Sequence, residues 1–254
     1  MKKRLLVIAV LLMAAFVCIT VLNGMDTELS PSEPSGSGTA ATDTADIKPS
    51  SKGSPYKFYF ERLTPVEKQA YNAIIEKIYD MPERIAVPKI DGKELDNVFS
   101  ALLFDNPDLF FLGRKCAVET RMWLTYFSVD YIVDKADIAD MKAQLERECE
   151  TFEQTLTDPG NQWRAELEIH DHVIDRCEYH DPEGDLIYSS SYGALVNGRA
   201  ACEGYSKAVK LLLDRAGIEN ALISGVSENG EGSGGAHMWN IVNIGGDYYH
   251  LDCT

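Results

Sequence analysis

The chain has 254 residues, 45% of them hydrophobic, and a formal net charge of −16. No Lys/Arg run occurs beyond the first four residues, so the basic footprint that nucleic acid requires is missing. The six cysteines, at 18, 116, 149, 177, 202 and 253, include no C-x-x-C pair, so no structural zinc or other metal, and no cofactor, is expected.

Lys2, Lys3 and Arg4 precede eighteen uncharged residues, Leu5 to Leu22. As a helix this stretch would span about 27 Å, close to a hydrocarbon core. Residues 1–23 therefore read as a signal anchor or a cleaved signal peptide, with the rest exported. The expected location is extracytoplasmic, anchored or secreted, with membrane contact through this segment only. Residues 24–55 are rich in Ser, Thr, Pro, Gly and Asp, and read as a disordered linker. Removing Cys18 leaves five cysteines, an odd number, so at least one exported thiol is expected to be free.

Residues 56–157 read as a mostly helical extension. Thr64, Pro65 and Glu67 make a capping box before a helix with Tyr71, Ile74, Ile75 and Ile78 on one face. Asp91 and Glu94 repeat the box for a helix that stops near Pro107. "TRMWLTYFSVDYIVD" reads as one strand, and "DIADMKAQLERECETFEQTL" as another helix. Nothing in the extension looks chemical.

The turn "DPGN" opens a second unit, residues 158–254. A helix follows whose Leu167, His170, Val173, Ile174 and Cys177 are expected on its buried face, His170 as a core histidine. The next helix, "ACEGYSKAVKLLLDRAG", buries Tyr205, Ala208, Val209, Leu212 and Ala216 and ends at Gly217. "ALISGV" reads as a strand. A loop with four glycines leads to two strands joined at Gly245-Gly246, a two-residue hairpin. The order predicts an α+β fold with an antiparallel sheet.

Cys202 falls in the first turn of its helix, where unpaired N–H groups favour thiolate and would lower the thiol pKa. Ala200 and Ala201 keep the approach open, and Gly204 lets another group close on the backbone. A thiol nucleophile needs a histidine and an acceptor to orient it. With Gly245-Gly246 as the turn, Ile244 faces Asp247 and Trp239 faces Asp252. His237, Trp239 and Asp252 then share one side of the ribbon, with His237 diagonal to Asp252. Trp239 either shields that pair from water or belongs to the core. His250 falls opposite Ile241 and reads as structural.

"GRAACEGYSKA", "HMWNIV" and "YYHLD", with "IHDHVIDRCEYH" upstream, resemble the transglutaminase-like superfamily with its papain-like cysteine core. The resemblance covers about residues 160–254. It implies a helix carrying the cysteine packed on an antiparallel sheet, a Cys202–His237–Asp252 triad, and acyl chemistry on peptide or protein amides. The chain stops two residues after Asp252, so the domain is either minimal or C-terminally truncated. Gly204, Tyr205 and Trp239 would support the triad. The Cys202 N–H would donate to the oxyanion, with Tyr192 and Asn197 as candidates for a second donor. The expected product is an exported peptidase or transglutaminase whose peptide or protein substrate could be associated with a cell wall. The alternative is a non-catalytic surface module that binds ligands in the same groove.

Overall fold

The computed structural model describes residues 56–228 and 234–254. The targeting segment and the whole linker expected before Tyr56, and part of the glycine loop, lie outside the described residues. Among the described residues, no helix is long and apolar enough to cross a membrane.

The chain opens with a one-turn helix, α1 (Phe58–Glu61), then α2 (Pro65–Ile75). Thr64 and Glu67 form the reciprocal cap of α2, as Asp91 and Glu94 do for α3 (Gly92–Asp105). Tyr71, Ile74 and Ile78 are fully buried. A three-stranded antiparallel sheet packs against these helices: β1 (Ile85–Val87), β2 (Leu112–Arg121) and β3 (Leu124–Tyr131), with β3 central. The region from Thr120 to Asp134 was expected to be one strand; it contains a turn. Arg121 pairs with Leu124, so Met122 and Trp123 form a two-residue turn. Met122 has φ 58°, a conformation that usually selects Gly or Asn, which is why no punctuation was visible there.

After α4 (Ile138–Glu153) comes α5 (Gln162–Arg176), which begins on an Asn161 cap. Its buried face is Ala165, Ile169 and Val173, continued by Cys177. Leu167 and Ile174 are exposed, and His170 is half-buried and paired with Asp171 at 2.9 Å. The expected stripe was thus rotated, and His170 is not a core histidine. Ile169 was overlooked because charged neighbours flank it.

The remaining elements are a short parallel pair, β4 (Glu178–Tyr179) and β5 (Arg199–Ala200), with α6 (Ser191–Leu195) between them. Then come α7 (Cys202–Arg215), β6 (Asn220–Glu228), β7 (Gly234–Ile244) and β8 (Asp247–Leu251). The last three form an antiparallel sheet in the order β6-β7-β8. The α+β expectation holds: a cysteine-bearing helix lies on an antiparallel sheet.

Helix α7 is enclosed on more sides than its apolar stripe required. Tyr205, Ala208, Val209, Leu212 and Leu213 are buried, each large aliphatic contributing about 1.5–3 kcal/mol. Glu203, Lys207, Lys210 and Asp214 are buried too. Lys210 pairs with Asp214 at 3.2 Å, so the charge is not left alone in the interior. The extension covers this polar side. It is fastened by Tyr59 Oη donating to the Leu222 carbonyl at 2.7 Å and Ser191 Oγ to the Pro107 carbonyl at 2.6 Å.

Candidate active site

Cys202 is the first residue of α7. The N-cap, Ala201, offers no side-chain acceptor to the amides of that first turn. Gly204 is needed for close approach: a Cβ there would lie 2.7 Å from the Ala200 Cβ and the Tyr188 carbonyl, and 3.0 Å from the Ser190 carbonyl. Any larger residue would lift the helix tip off the turn at 188–190.

Strand β8 ends where Leu251 pairs with Asn240, so β7 before Asn240 has a strand partner only in β6. The backbone left open there is used by α7. The Met238 N–H is directed at the Cys202 sulfur, as is the Glu203 N–H. The Met238 carbonyl accepts from Ser206 Oγ at 2.8 Å, and the same hydroxyl reaches the Cys202 carbonyl at 2.8 Å. Asn240, 1% exposed, donates from Nδ2 to the Ser206 carbonyl at 3.1 Å. Ser206 and Asn240 therefore tie the thiol's helix turn to the strand that carries His237.

His237 Nε2 lies 2.7 Å from Asp252 Oδ2. Burial alone would raise the Asp252 carboxyl. The hydrogen bond from His237 and those from Thr254 outweigh it, and the net direction is down. Thr254 donates to Asp252 Oδ1 from both its N–H, at 3.2 Å, and its hydroxyl, at 2.8 Å. An ionised Asp252 accepts from an Nε2–H, which leaves Nδ1 as the imidazole's lone-pair nitrogen. The Trp239 ring stacks on His237 with centroids 5.9 Å apart and 22° between planes. Its Nε1 donates to His250 Nδ1 at 2.8 Å. Trp239 is half-buried, so it covers the imidazole rather than filling the core. Gly225 makes room for it: a Cβ there would sit 2.7 Å from the indole Cη2.

One expectation about the thiol is overturned. Burial pushes Cys202 above the ordinary cysteine range. The Met238 and Glu203 amides pull it down, but the charges of Glu203 and Asp252 add to the upward shift. Desolvation of a thiolate beneath the helix tip outweighs the field of the tip itself.

The supporting residues are divided. Tyr205 is buried, and its hydroxyl donates to the Cys177 carbonyl, so it anchors α7. Tyr192 faces the extension: its ring stacks on Phe110 and its hydroxyl donates to Gln144 Oε1 at 2.6 Å. That donor is spent, and Tyr192 is withdrawn as an oxyanion candidate. Asn197 is exposed in the turn before β5, its N–H bonded to the Tyr192 carbonyl. All five described cysteines are free thiols. Ser206, Asn240, Gly225 and Thr254 went unassigned from sequence. Of these, Ser206 and Asn240 lie inside the motifs "GRAACEGYSKA" and "HMWNIV".

Residues 150–253 match the family profile of the transglutaminase-like superfamily. The C-terminal part of the chain is transglutaminase-like. No curated protein matches the sequence. Three solved structures resemble the chain. One is described as a "putative protease" from Parabacteroides distasonis, at 15% identity and TM-score 0.34, covering 55% of this chain and 36% of that one. A second, described as a "putative cysteine protease" from Cytophaga hutchinsonii, has 13% identity, TM-score 0.37 and coverages of 55% and 61%. A third, described as a TGase, has 15% identity, TM-score 0.37 and coverages of 73% and 58%. The chain thus spans between about a third and three fifths of these proteins.

Proposed function

We propose that the protein is an exported thiol acyl-transfer enzyme acting on peptide or protein amides, a peptidase or a transglutaminase. Cys202 is the nucleophile, His237 the base and Asp252 the orienting carboxylate. The observation that carries this reading is the 2.7 Å His237–Asp252 pair, one residue from a strand amide directed at the Cys202 sulfur.

Because burial holds the thiol protonated, the proton moves as the bond forms. Cys202 Sγ attacks the amide carbonyl while His237 Nδ1 accepts the S–H proton. Asp252 stabilises the resulting imidazolium through Nε2–H. The Cys202 N–H donates to the oxyanion. Imidazolium then protonates the departing amine, leaving a thioester on Cys202. Water or a second amine resolves it, His237 again taking the proton. The N-terminal basic and apolar run supports reading this chemistry as extracytoplasmic, with wall-associated peptides as one proposed class of substrate.

The raised thiol favours a second reading, a non-catalytic surface module that binds ligands in the same groove. Product formation separates the two. The protein is incubated with a peptide library in ¹⁸O-water, with and without a primary amine, and products are read by mass spectrometry. New ¹⁸O-labelled carboxyls or amine adducts that vanish in Cys202→Ser support acyl transfer. Identical spectra from wild type and Cys202→Ser leave only the binding module.

A further inference from the structure

The residue after the nucleophile, Glu203, carries a buried carboxylate that opposes ionisation of its neighbour. It is held from two directions. Lys207, one turn along α7, donates to Oε1 at 2.8 Å. Arg114, from β2 in the extension, donates to Oε2 at 2.6 Å and also to Ser189 Oγ at 3.0 Å. The Glu203 side chain is 7% exposed and Lys207 10%, so this cluster is poorly screened on its inner side. Arg114 and Lys207 against Glu203 leave this cluster with one net positive charge. Without Arg114 the remaining pair is neutral.

We propose that Arg114 is a positioning residue for the nucleophile: the extension delivers a guanidinium that fixes the Glu203 carboxylate and cancels its charge next to Cys202. This gives residues 56–157 a part in the chemistry, although they hold no reacting group. Arg suits the place because it is always charged and can hold two oxygen acceptors at once. The other groups facing Cys202 are Asp252 with His237 beside β7, the exposed Tyr179 on β4, and the Met238 and Glu203 amides. None of these approaches Glu203 from the extension. The proposal rests on the reading of Cys202 as nucleophile, but its test needs no turnover.

The experiment measures the rate of Cys202 carbamidomethylation by iodoacetamide against pH in the full chain, by peptide mass spectrometry. Removing a positive charge disfavours thiolate, so Arg114→Met should move the midpoint to higher pH and slow alkylation below it by roughly threefold. Arg114→Lys should keep most of the wild-type profile, because it keeps the charge. Arg114→Met/Glu203→Gln should return the midpoint to the wild-type value or lower, since the charge to be cancelled is gone. A purely structural role for Arg114 would change amplitude or thermal stability and leave the midpoint in place. An unmoved midpoint in Arg114→Met, or a shift that persists undiminished in the double variant, overturns the proposal. If Arg114→Met does not fold, Glu203→Gln alone decides: a lowered midpoint supports the proposal and an unchanged one overturns it. Loss of the peptide reaction alongside an intact Arg114 effect counts against acyl transfer only.

Discussion

Among the described residues there are two three-stranded antiparallel sheets, each with a two-residue hairpin, and they differ in how the hairpins end. In β2–β3 the ladder continues to the turn, from Ala117 opposite Ser128 to Arg121 opposite Leu124. Its cross-strand polar contacts include Thr120 with Thr125 and the Lys115 N–H with Asp130, and its tip exposes Met122 and Trp123. In β7–β8 the second strand stops at Leu251, and β7 runs on. That leaves the Met238 amide and carbonyl for α7, and leaves Asp252 at the strand end to meet His237. The β2–β3 pair, whose register slips only between Leu112 and Cys116, holds no reacting group. The sheet that leaves part of its ladder open to the cysteine helix gains a candidate site.

This contrast can be broken most severely at the open ladder. Cys202→Ala should abolish peptide-bond turnover. His237→Ala should cost at least about 10³-fold in kcat with the fold intact by circular dichroism. Asp252→Asn should cost about 10²–10⁴-fold, because an amide no longer fixes Nε2–H, while substrate binding changes little. Ser206→Ala removes the hydroxyl that bridges helix and strand. It should destabilise by about 1–2 kcal/mol in urea unfolding and lower kcat more than it raises KM. Gly225→Val should push the indole off His237, costing about 1–3 kcal/mol. The smallest effect belongs to the other sheet. Met122→Gly relieves a positive φ and should shift stability by no more than about 1 kcal/mol, with activity unchanged.

The pH dependence sharpens the same contrast. Asp252 is depressed in the folded protein, so the His237 pair contributes stability above the unfolded aspartate value of about 3.9. That contribution is lost as pH falls through the lower folded value. In a urea-stability titration Asp252→Asn should therefore lose its difference from wild type at acid pH. Replacing Thr120 or Thr125 should give a pH-independent difference.

The legible parts of the molecule are those where a special residue marks the backbone. Gly245 and Gly246 both adopt positive φ, at 65° and 97°, and they fixed a register that carried through to the His237–Asp252 pair. The reciprocal caps at Thr64 and Asp91 were equally plain. Met122 makes a comparable turn with no glycine, so one expected strand hid a hairpin. Cys202 was found from its helix-tip position, but the direction of its pKa was not. Helix-tip amides can be read from sequence, whereas desolvation comes from the distant chain that buries the sulfur. Ser206 and Arg114 were invisible for the same reason, since their partners lie 32 and 89 residues away.

The central claim is that His237 offers a lone pair at Nδ1 to a protonated Cys202 while Asp252 holds Nε2–H. Long-range ¹H–¹⁵N correlation spectra of the histidine side chains, with His237→Ala to assign its signals, read that tautomer directly. The account expects the His237 ring to carry its proton on Nε2, and that proton to move in Asp252→Asn. A lone pair on Nε2 with the proton on Nδ1 would contradict it.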